Sequence, residues 1–133
     1  MADEDATDPK ARRAGRIAKR SASQSRKQRL LVVLCTVGEE GSAQAMARIL
    51  VEERLAACVS RVPVQSTYRW REAVVSEGEV LLVIKTEASL WPTLRRRIRE
   101  LHAYECPEIV GIDATESDAD YLAWLLAACG VVA

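Results

Sequence analysis

The chain has 133 residues, 49% of them apolar, and a formal net charge of zero at pH 7. That length suits one compact domain plus a tail, and that apolar share supplies a core. No run of about 18 apolar residues occurs, which excludes a transmembrane helix. The four cysteines lack the spacing of a zinc pair and fit reduced thiols in a cytoplasmic protein better than a disulfide framework.

The zero balance conceals a division. Residues 1–9 carry Asp3, Glu4, Asp5 and Asp8 and no base; residues 10–29 carry nine bases and no acid; residues 30–133 carry ten bases against fifteen acids. Ile17 is the only large aliphatic side chain in 1–29, too little apolar surface to offset ordering. The sequence therefore predicts a disordered basic N-terminal tail over 1–29 and a folded domain over 30–133. Four early acids argue against a transit peptide, and the lack of an apolar stretch argues against a secretory signal. The simplest role for the tail is solubilising; the functional alternative is weak contact with nucleic acid, anionic lipid or an acidic partner.

Leu30–Val37 is a continuous apolar run of strand length. Ser42–Arg54 places Ala43, Met46, Ala47 and Leu50 at helical spacing. Ala57–Arg69 reads as extended, with Pro63 confined to an edge or bulge because it has no N–H for a ladder. Trp70–Gly78 carries polar turn signals around Val74 and Val75, and Glu79–Thr86 reads as a strand buried on both faces. Ser89 is the expected N-cap of the next helix, with Pro92 in its first turn. Leu90, Trp91, Leu94, Ile98 and Leu101 line one side of that helix, and Arg95, Arg96, Arg97 and Arg99 lie mostly opposite. Pro107 closes a loop, Glu108–Asp113 forms a fourth strand, and Ser117 or Asp118 caps a last helix that turns Tyr121, Leu122, Leu125 and Ala128 inward.

The order β-α-β-β-α-β plus a terminal helix is the split βαβ arrangement of ferredoxin-like α+β domains, one antiparallel sheet with helices on one face. The apolar runs at 30–37 and 79–86 are too continuous for a sheet with one wet side. The other face needs cover, most simply from another copy of the chain.

The chemistry concentrates in His102-Ala103-Tyr104-Glu105-Cys106-Pro107-Glu108, which holds the only histidine. Imidazole and thiolate suit soft transition metals, and Cys35 ends the first strand as a second thiol. Against a metal role, a helix dipole favours the imidazolium at a C-terminus, and a buried strand thiol is ordinary core. Glu105 and Glu108 sit three apart across Pro107 and face opposite sides of an extended chain, so they do not read as an acid–base pair. Glu108 opens an apolar strand and wants a partner, for which Lys85 is the natural choice. Tyr104, Tyr68 and Trp70 read as packing and subunit-contact aromatics. No P-loop, GxGxxG, HExxH or GxSxG occurs, and a serine hydrolase would have only His102 as base; the chain reads as a binding protein rather than an enzyme.

Several segments together resemble the CutA divalent-cation tolerance family. They are LeuValValLeuCysThrVal at 31–37, ValGluGluArgLeuAlaAlaCysVal at 51–59, SerThrTyrArgTrp at 66–70, GluValLeuLeuValIleLysThr at 79–86, the block from His102 to Glu108, and AspTyrLeuAlaTrpLeu at 120–125. The resemblance implies a ferredoxin-like subunit in a tight homotrimer, with strands crossing between subunits and clefts at their boundaries. It also implies copper(II) or other divalent-cation binding and a role in metal response. Cys35 and His102 match the family's metal positions; Leu101 stands where some members have a second histidine, and Ala103 where proline is usual. The alternative is a trimeric signalling or regulatory scaffold that takes a small ligand or partner protein in its clefts, with Lys85, Tyr104, Glu105, Glu108 and Trp70 as recognition residues.

Overall fold

The computed structural model describes residues 28–131. In chain order the elements are β1 (Leu30–Val37), α1 (Glu40–Glu52), β2 (Cys58–Trp70), β3 (Ala73–Glu87), a single 3-10 turn (Ala88–Leu90), α2 (Trp91–Leu101), β4 (Val110–Ala114) and α3 (Ala119–Ala128). The four strands form one antiparallel sheet in the order β2-β3-β1-β4. This is the expected ferredoxin-like α+β arrangement. Of the basic segment 1–29, only Gln28 and Arg29 fall within the described residues, and Arg29 is tied to the fold. Its amide donates to Glu87 Oε2 at 3.3 Å, its carbonyl accepts from the Ala88 amide, and its guanidinium pairs with Asp113 at 3.0 Å.

Strand alternation sorts the side chains into two layers. Val33, Cys35 and Val37 of β1 and Val80, Leu82 and Ile84 of β3 point to one face, where Ala43, Met46 and Leu50 of α1 and Leu94 and Ile98 of α2 close a dry core. Arg97 clasps Glu53 through two N–H donors at 2.8 Å each and so ties α2 to α1. The opposite face is covered only at one end, where Leu122, Leu125, Leu126 and Cys129 at the α3 end pack on Leu30 and Ala57. Beyond that cap, Val62, Val110 and Ile112 are exposed at 44–46%, and Leu34, Leu81 and Val83 are half-buried. An apolar sheet surface therefore lies open on the chain.

Four local expectations change. The turn within Trp70–Gly78 shrinks to two residues ahead of Val74 and Val75: β2 and β3 form one long hairpin with only Arg71 and Glu72 between paired Trp70 and Ala73. Its polar residues are exposed ladder positions with cross-strand partners, Thr67 Oγ1 to Ser76 Oγ at 2.9 Å and Tyr68 to Glu77. Arg71 takes the left-handed φ of 56° that so tight a turn requires. Ser89 is not the α2 cap. It sits inside the 3-10 turn, which Glu87 caps by accepting from the Ser89 amide at 3.1 Å, and α2 then begins with Pro92 in its first turn. Strand β4 begins at Val110 rather than Glu108, because the His102 imidazole occupies the Thr36 carbonyl at the register position that Glu108 would face. α1 starts at Glu40, two residues early, since Glu39 rather than a later residue supplies the cap to the Ser42 amide at 3.1 Å. Pro63 does lie on the edge strand, as its missing N–H demands.

Candidate functional site

His102 ends α2 by leaving helical geometry. Its Nε2 lies 2.7 Å from the Thr36 carbonyl and its Nδ1 lies 3.1 Å from the Tyr104 amide. A carbonyl only accepts and an amide only donates, so Nε2 carries the proton and Nδ1 accepts. The imidazole thus staples the loop after α2 to the end of β1, and its ring lies tilted by 48° against Tyr104 with centroids 4.7 Å apart. Cys35 is fully buried one residue before Thr36, with Sγ 3.8 Å from the same Thr36 carbonyl. Cys35 and His102 are thus close neighbours around one oxygen. Burial first, and then the nearby Glu108 and Glu79 carboxylates, pushes the Cys35 thiol up to about 12.

Tyr104 carries the staple onward. Its hydroxyl donates to Glu79 Oε2 at 2.8 Å, and its ring lies against Gly38, where an added Cβ would stand 3.2 Å from the hydroxyl. Burial and then the hydrogen bond to Glu79 raise the Tyr104 pKa well above that of free tyrosine. Glu79 is itself only 8% exposed.

These residues form one wall of a cleft of about 700 Å³ between the loop after α2 and the β2–β3 hairpin. Glu79, Glu105, Glu108 and Cys106 supply its acidic and thiol groups, and Tyr68, Trp70 and Tyr104 its aromatic surface. No lysine or arginine lines it. Arg71 reaches Glu105 at 3.4 Å across exposed surface and also lies 5.4 Å from the Trp70 ring. Cys106 is exposed, unlike Cys35 and Cys129.

The structure therefore brings Trp70, Tyr104, Glu105 and Glu108 together in one cleft. Lys85 is not among them: six residues along β3 from Glu79, about 20 Å at strand rise, its ammonium donates to Ser60 Oγ at 2.8 Å. The expected Lys85–Glu108 ion pair does not form. Sequence reasoning missed Glu79 and Thr36, and Glu79 carried a readable signal: an acid two residues before Leu81 in an otherwise apolar strand. Among the described residues, no group of three or more His, Cys, Asp or Glu side chains is arranged to hold a metal.

A ferredoxin-like α+β domain with an open apolar sheet face and an acidic, aromatic cleft is the class defined so far. A model of the CutA1 divalent ion tolerance protein family matches residues 31–128, and the chain belongs to that family. The divalent-cation tolerance protein CutA of Thermus thermophilus is 48% identical over 95 residues, covering 71% of this chain and 92% of that protein. A solved structure of the Thermus thermophilus protein superposes with a TM-score of 0.70 at 47% identity, covering 72% of this chain and 94% of that one. Pyrococcus horikoshii CutA, solved in 3 M guanidine hydrochloride, gives 0.72 at 35% identity over 74% of this chain and 97% of that one.

Proposed function

We propose that this member of the divalent-cation tolerance family acts as a cytoplasmic homotrimer that binds a divalent cation, copper(II) first, at the acidic cleft. The observation that carries the reading is the lining: three carboxylates and an exposed thiol with no facing lysine or arginine. Such a lining attracts cations, and an accessible sulfur biases the choice toward soft transition ions. A second copy laid against the open apolar face would border the cleft. Four free cysteines favour a reducing compartment, and among the described residues no helix is long and apolar enough to cross a membrane. The role is binding rather than catalysis, since the one imidazole has both nitrogens engaged.

Cys35 and His102, the positions implied by the family resemblance, fit a metal poorly in this arrangement. Binding there would require the imidazole to leave Thr36 and the thiol to lose a proton held to about 12. Calorimetric titration of copper(II) separates the two arrangements. Cleft binding is lost in Glu105→Gln/Glu108→Gln and kept in His102→Ala; the reverse pattern moves the metal to Cys35 and His102. A second reading, the scaffold that takes a small ligand, is favoured by Tyr68, Trp70 and Tyr104 beside the carboxylates, a combination suited to an organic cation. Thermal shifts with organic amines in metal-free buffer, absent in Trp70→Ala, would select it.

A further inference from the structure

The outer side of α2 carries a charge pattern that the cleft does not use. Arg95, Arg96 and Arg99 are all exposed, and none forms an ion pair among the described residues. Arg97, in contrast, is committed to Glu53 and Glu100. The three free guanidiniums line a shallow hollow of about 720 Å³ with half-buried Trp91 and exposed Pro92 and Glu100. Helix neighbours three and four apart stand about 5–6 Å from each other, a spacing that lets consecutive guanidiniums address consecutive phosphates. The chain enters the sheet beside this helix: the Arg29 carbonyl accepts from the Ala88 amide, at the turn that leads into α2. The sequence before Arg29 carries a further eight bases between Lys10 and Lys27.

We infer that this face binds the phosphate backbone of single-stranded nucleic acid. Guanidinium groups pair with phosphate, and the Trp91 indole gives a base a surface to stack on. An anionic membrane fits less well, because the apolar residues of α2, Leu94 and Ile98, are buried in the core and leave nothing to insert into lipid. α2 packs on the sheet face opposite the open apolar surface, so association of copies through that surface leaves the arginines in solvent.

The test uses the full-length protein and a fluorescein-labelled 20-nucleotide oligouridylate, followed by anisotropy from 50 to 200 mM KCl. Expected is saturable binding whose logarithm falls linearly with the logarithm of salt. In Arg95→Gln/Arg96→Gln/Arg99→Gln the affinity should drop at least tenfold and the salt slope should shrink by about 2, three contacts at roughly 0.7 each. Circular dichroism confirms that the variant is folded. Wild-type affinity in that variant overturns the inference, because the N-terminal bases alone would then suffice. No binding of the oligonucleotide, or binding to phosphatidylserine vesicles in its place, overturns it as well.

Discussion

At the scale of single residues, the His102 staple decides which thiols are chemically available. Cys35 lies beneath it, fully buried and held as a thiol, while Cys106 sits exposed in the cleft. Ellman's reagent should modify Cys106 in the native protein and reach Cys35 only on unfolding; prompt native reaction at Cys35 would contradict the packing. Stability should fall on the alkaline side. Burial raises the Cys35, Cys129 and Tyr104 pKa values, so the fold favours their uncharged forms. That contribution is complete below the unfolded thiol value of about 8.5 and is lost as pH rises toward about 12. Urea midpoints should decline from pH 8 to pH 11, and a flat profile would refute the linkage. Tyr104→Phe removes the donor to Glu79 and strands a nearly buried carboxylate. The expected cost is about 1–3 kcal/mol in denaturant unfolding, with the secondary structure unchanged.

Individual elements show what a sequence transmits and what it withholds. β1 matched residue for residue, because a continuous apolar run between polar breaks has one reading. The hairpin did not, because Ser76, Glu77 and Gly78 resemble turn residues when cross-strand partners are unseen. Thr67 opposite Ser76 and Tyr68 opposite Glu77 become informative only once the register is known. The site was legible in the same uneven way. Trp70, Tyr104, Glu105 and Glu108 were named as cleft residues through the family resemblance, whereas Lys85 was misplaced because strand length, not sequence pattern, sets its distance from the loop. Where β4 meets α2, Gly111 admits the Trp91 ring, and an added Cβ would stand 3.2 Å from it. Gly111→Ala should therefore cost about 1–3 kcal/mol by overpacking, read as a lowered Tm; an unchanged Tm would show that the indole can move aside.

For the whole molecule, the open sheet face sets the terms. Val62, Val110 and Ile112, with the half-buried Leu34, Leu81 and Val83, form an apolar surface of the kind that marks an association site. If three copies bury it, subunit dissociation and unfolding become one transition, and its midpoint rises with protein concentration. Val110→Asp/Ile112→Asp should reduce the mass measured by light scattering and abolish that dependence. An unchanged mass would direct the search for the partner elsewhere. Assembly through this face would also leave the acidic cleft and the arginine row as separate surfaces, one cationic in its preference and the other anionic.

The long hairpin has a kinetic meaning as well. Its paired residues lie 3 to 27 positions apart in the chain, whereas β1 and β3 pair across 43 to 57. Loop closure is cheapest for near neighbours, and hairpins zip in about 1–10 μs. The ribbon from Cys58 to Glu87 can therefore form before β1 arrives to complete the sheet. The association surface, which needs Val110 and Ile112 of β4 as well as Val62 of β2, would then be completed last, after the ribbon and β1 have paired. Alanine at Val75 should accordingly slow folding, and alanine at Ile112 should mainly hasten unfolding.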